Sequence, residues 1–105
     1  MKIQLQLTLD DLVFINAFIG NNLTKKEQCT SKESLSNFYM IIELLKKLLK
    51  KMLDKQEVKK PFLITIKYYE AFTLHQFLLI HIDYQESENR RMTRKILAAL
   101  NQKLA

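Results

Sequence analysis

Leu7-Thr8-Leu9-Asp10-Asp11-Leu12-Val13-Phe14-Ile15-Asn16-Ala17-Phe18-Ile19 can be laid without a gap on Ile66-Lys67-Tyr68-Tyr69-Glu70-Ala71-Phe72-Thr73-Leu74-His75-Gln76-Phe77-Leu78. Apolar residues fall on apolar residues at most positions, the acid Asp11 falls on the acid Glu70, and Phe18 falls on Phe77. The correspondence points to a two-fold internal architecture and so bounds the fold; it does not name a function.

Working outward, each copy is preceded by a short stretch of period two. Ile3, Leu5 and Leu7 alternate with Lys2, Gln4 and Gln6, and Phe62, Ile64 and Ile66 alternate with Leu63, Thr65 and Lys67. Alternation is the signature of a half-buried strand. Two short strands in front of equivalent helices can pair as a ribbon, which needs a helix packed on it to be stable. At Thr8 the period changes. Thr8 and Asp11 are spaced as a capping box, and Asp10 and Asp11 suit the positive end of a helix dipole. The first helix is expected from Leu9 to Gly20 or Leu23, with Gly20-Asn21-Asn22 as its stop. Its counterpart is expected from Tyr68 to Ile82. Phe77 and Ile80 fall away from Ala71, Leu74 and Leu78 on that helix, so it is apolar on more than one side and needs more than one neighbour.

Each of these helices is followed by a polar segment and a second helix. Residues 21–33 have no period and read as a loop, with Thr30 or Ser31 as the next cap. Leu35, Phe38, Ile41, Ile42, Leu44, Leu45, Leu48, Leu49, Met52 and Leu53 fill one half of a wheel, and Glu43, Lys46, Lys47, Lys50, Lys51 and Asp54 fill the other. That helix is expected to reach Lys55 or Gln56, before Pro61 ends any helical run. In the second half, Asp83-Tyr84-Gln85-Glu86-Ser87 forms the connection, and a helix from Glu88 to Leu104 carries Met92, Ile96, Leu97, Ala99, Leu100 and Leu104 on its apolar face. Leu44, Leu45, Leu48 and Met52 align with Ile96, Leu97, Leu100 and Leu104 at one constant shift, the second loop being seven residues shorter. Amphipathic helices resemble one another, so duplication and chance both remain open at this level. The expected fold is mainly α: four helices as two pseudo-repeated helical hairpins, with a minor two-stranded β ribbon. The 105 residues make one domain, with halves at about 1–56 and 61–105.

Composition agrees. Hydrophobic residues are 48% and charged residues 27%, ordinary values for a folded chain. A single glycine and a single proline are too few for a sandwich or barrel, whose many tight turns use both. The one glycine also removes the glycine-rich phosphate loops. Cys29 stands alone, so no intramolecular disulfide forms; together with the lack of a signal-like apolar run at the N-terminus, this gives a cytoplasmic expectation. The Asn22-Leu23-Thr24 sequon has no meaning without secretion. The longest hydrophobic-looking stretch, Ala71 to Ile82, is too short to cross a bilayer and carries polar residues, so no transmembrane segment is expected.

Chemistry is sparse. His75 and His81 are too far apart on a helix wheel to share a metal, and zinc needs three or four converging ligands. Cys29 lies in the most loop-like segment and reads as an ordinary thiol. Asp10 and Asp11 are explained by capping better than by acid–base work. No catalytic, metal or cofactor site is expected. Two classes compete for the function. The first is a non-enzymatic protein-protein interaction module that self-associates through Phe72, Phe77 and Ile80, because the badly segregated third helix leaves an apolar patch uncovered. The second is a nucleic-acid-binding accessory protein. Net charge is +6, and Lys46, Lys47, Lys50, Lys51 with Arg90, Arg91 and Arg94 could hold phosphates. Lysine (14) far outnumbers arginine (3), which fits a solvated surface better than bidentate phosphate grips.

Overall fold

The computed structural model describes residues 1–23, 25–82 and 87–105. Its order is β1 (Lys2–Leu7), α1 (Leu9–Asn22), a 3-10 turn (Lys26–Gln28), α2 (Lys32–Asp54), β2 (Phe62–Lys67), α3 (Tyr68–His81) and α4 (Ser87–Leu104). The expected connection Asp83-Tyr84-Gln85-Glu86 and Thr24 of the sequon lie outside the described residues.

Four helices and one antiparallel ribbon are what the periodicities require. The ribbon buries Ile3, Leu5 and Leu7 of β1 with Ile64 and Ile66 of β2, and leaves the alternate residues outward. In the square of helices α1 neighbours α2 and α4, and α3 neighbours α4 and α2. Residues from every strand and helix of both halves meet in one core. Each fully buried Leu or Ile there contributes about 1.5–3 kcal/mol relative to exposure.

The ladder locates the two-fold relation. Leu5 pairs with Ile64, and these two are also equivalents in the sequence correspondence, so the pseudo-dyad passes between them. At the other end of the core the equivalents Phe18 and Phe77 meet edge to face, with ring centroids 5.9 Å apart. Burial repeats with the same two shifts. Leu12, Ile15 and Ile19 of α1 match Ala71, Leu74 and Leu78 of α3. Ile41, Leu44 and Leu48 of α2 match Thr93, Ile96 and Leu100 of α4. The molecule is therefore two strand–helix–helix halves about an approximate two-fold axis.

Caps repeat as well. The Thr8 amide donates to Asp11 Oδ2 at 3.0 Å, and the Asp11 amide donates back to Thr8 Oγ1 at 3.1 Å. In the second half the Lys67 amide donates to Glu70 Oε1 at 2.7 Å; a lysine cannot return the bond, so only half of the box survives. Ser31 caps α2, with Ser34 in place of the usual acid.

Helix α1 ends at Asn22, within the expected stop Gly20-Asn21-Asn22, and the Asn22 side chain donates to the Phe18 carbonyl at 2.9 Å. The apolar half of α2 is wider than what it buries. Ile41, Leu44 and Leu48 are buried, while Leu49 and Leu53 lie about 100° and 140° round the helix from Leu48 and are exposed, Leu53 at 65%. Thr93, polar by type, is fully buried, its hydroxyl donating to the Asn89 carbonyl at 2.8 Å.

Candidate functional site

Helix α3 carries a single ordinary charge, Glu70, together with His75 and His81. On a pitch of 100° per residue its core side is centred on Leu74, Leu78 and Ala71. The opposite arc, about 120° wide, presents Tyr68, Leu79, Phe72, Gln76, Tyr69 and Ile80, none of them charged. Tyr69 is 54% exposed, Phe72 50%, Leu79 45% and Ile80 64%. Such a sequence stays helical because both sides suit a helix and Lys67–Glu70 caps the start; none of the described residues covers the outer side.

One flank of this arc falls into a crevice against the first half of α2. Tyr39, Met40 and Glu43 face Tyr69, Glu70 and Thr73 across a cleft of about 340 Å³. The next cleft, about 400 Å³, is lined by Glu33, Asn37, Met40, Ile41, Phe72, Gln76, Phe77 and Ile80. A third, about 290 Å³, continues past Phe77 and Ile80 to His81, Cys29 and Leu23. The three form one shallow, mainly apolar trough along α3.

Of the residues singled out for an interface, Phe72 and Ile80 stand in the open and Phe77 lines the trough, half-buried against the core. Phe77 also packs on His81, with ring centroids 4.5 Å apart, while His81 Nδ1 lies 2.9 Å from the Phe77 carbonyl. The structure thus brings all three expected residues to one surface. It adds Tyr39, Met40, Tyr69 and Leu79, which periodicity alone did not select. The absence of charge on one whole arc of α3 was the available signal.

The basic residues are not gathered in this way. Lys47 reaches across to α3 and donates to Glu70 Oε1 at 2.8 Å. Partial burial works to raise the Glu70 carboxyl, but the Lys47 bond, the Lys67 amide and the charges of both lysines outweigh it and hold the carboxyl below its ordinary value. Lys46 lies 3.7 Å from Glu43 on the exposed side of α2, with Lys50 beyond it and Lys51 half-buried. Arg90, Arg91 and Arg94 are on α4, across the square from α2, with Arg90 half-buried. The two expected groups of cations therefore sit on separate helices.

The remaining polar chemistry is structural. Asp11, nearly fully buried, accepts from Lys95 Nζ at 3.1 Å besides capping α1. Both halves thus tie the capping acid of one hairpin to a lysine of the other. Asn16 donates to the Leu48 carbonyl at 3.3 Å, while its own buried oxygen has no partner among the described residues. Cys29 is half-buried, its Sγ 3.8 Å from the Lys25 carbonyl. Among the described residues no three metal-ligating side chains converge, and no helix is long and apolar enough to cross a membrane. No family model, curated protein or solved structure matches this chain.

Proposed function

We propose that the protein is a non-enzymatic interaction module that forms a two-fold homodimer through the outer side of α3 and the adjoining α2 trough. The observation that carries this reading is the uncharged, half-exposed row Tyr69, Phe72, Leu79 and Ile80. With Tyr39 across the first cleft, these side chains, each 45–64% exposed, supply the apolar core of an interface whose standard size is ~800 Å² per partner. Polar trough residues supply the remainder as a rim. A second copy is the favoured occupant because knobs and clefts lie side by side on one surface, as a self-complementary contact requires. The buried acids support a non-catalytic reading: Asp11 and Glu70 are already engaged by caps and lysines.

Sedimentation equilibrium tests this. The chain should show a reversible monomer–dimer equilibrium in the micromolar range, and a strictly monomeric mass at millimolar concentration removes the reading. Salt-sensitive retention on DNA or RNA by that monomer would instead favour the basic residues as the working surface.

A further inference from the structure

We infer that the two α3 helices run antiparallel in this dimer, with Lys67 of each copy meeting Glu33 of the other; the inference rests on the self-association proposed above and fixes its register. The outer side of α3 is uncharged along its length but not at its two ends. At the N-terminal end, where Glu70 is bonded to Lys47 and Glu43 lies 3.7 Å from Lys46, the Lys67 ammonium lies 5.6 Å from the centre of the Tyr69 ring, which carries its charge onto the same surface. At the far end Glu33, in the first turn of α2, lines one cleft together with Phe72 and Ile80. Glu33 makes no ion pair among the described residues.

The span from Lys67 to Ile80 is about 20 Å at 1.5 Å per residue. That exceeds the Debye length of about 8 Å at physiological salt, so the ends act independently. A two-fold axis along α3 would set Lys67 against Lys67 and Glu33 against Glu33. A two-fold axis across α3, near Thr73, sets each lysine against a glutamate, twice. It also sets the two α3 dipoles antiparallel, the N-terminal end of each beside the C-terminal end of the other, and the rows Tyr69, Phe72, Gln76 and Ile80 run past each other over three turns. Opposite charges at the rim select this register, while the apolar row supplies most of the affinity.

Charge reversal tests the register in the full chain. Sedimentation equilibrium should show each of Glu33→Lys and Lys67→Glu weakening the dimer about tenfold, and the double reversal returning it to within about threefold of wild type. Glu33→Gln and Lys67→Gln disturb the first turns of α2 and α3 less, and should each cost about threefold. Circular dichroism and thermal midpoints confirm that the variants compared are folded. Single reversals and neutral variants with no effect, or a double reversal weaker than either single one, overturn the antiparallel register. If those variants dimerise like wild type while Phe72→Asp does not, the surface stands and only the register falls. A wild-type chain that never associates removes both.

Discussion

Helices α1 and α3 occupy equivalent places in the two halves, and their inner sides match where their outer sides do not. Inward, Leu12, Ile15 and Ile19 answer Ala71, Leu74 and Leu78, all buried. Outward, Asp10, Val13, Ala17, Gly20 and Asn21 answer Tyr69, Phe72, Gln76, Leu79 and Ile80. Both helices fold against the same kind of core, so folding requires the first set and not the second. Four large apolar side chains on α3 are surplus to the needs of the hairpin. The contrast between two structurally equivalent helices singles out α3 more sharply than its hydrophobicity does, because α1 serves as an internal control.

The largest effects should be felt equally by both helices. Ile15→Ala and Leu74→Ala each empty an equivalent place in the core and should each cost about 3 kcal/mol in urea unfolding. A loss confined to one helix would show that the halves are unequal inside as well as outside. The next effect should separate them. Phe72→Asp or Ile80→Asp should weaken the dimer about a hundredfold with little change in monomer stability, whereas Val13→Asp should leave association unchanged. Equal sensitivity on α1 would break the contrast.

Smaller effects probe the repeated acid–lysine ties. Asp11→Asn removes a two-sided cap and a carboxylate only 4% exposed, and should cost about 2 kcal/mol. Glu70→Gln removes a one-sided cap from a site 13% exposed, and should cost about 1 kcal/mol. The Glu70 carboxyl is held below its ordinary value of 4.5. Its stabilisation is therefore complete above that pH and disappears as the pH falls through the lower folded value. Glu70→Gln should flatten that part of the acid limb in pH-dependent unfolding. The smallest expected change is a gain: Gly20→Ala, where an added Cβ meets nothing within 4 Å, should stabilise α1 by about 0.5–1 kcal/mol.

Much of this architecture was legible in periodicity. Alternation from Ile3 to Leu7 and from Phe62 to Ile66 marked both strands, and Thr8 with Asp11 marked the start of α1. The repeat gained its physical meaning from pairing: only the register of Leu5 against Ile64 shows that equivalent residues sit on an axis. Contacts between hairpins were not legible, because Lys95 and Asp11 are brought together by packing and by nothing in their spacing. The same holds for Lys47, which reads as one more solvated lysine until Glu70 is seen beside it. Thr93 was assigned to no face by its type, and its burial is read only from the structure, where its hydroxyl bonds the preceding turn. For the site, Phe72, Phe77 and Ile80 could be selected from the poor segregation of α3. Tyr39 and Met40 could not, because they join the surface only where α2 crosses beside it.

A dilution series on methyl-labelled protein tests the account most directly, since it reads both helices in one sample. The methyl resonances of Leu79 and Ile80 should shift with concentration as one saturable process, while those of Val13, on the equivalent side of α1, stay fixed. Spectra that do not change with concentration, or a Val13 signal that moves together with Ile80, would contradict it.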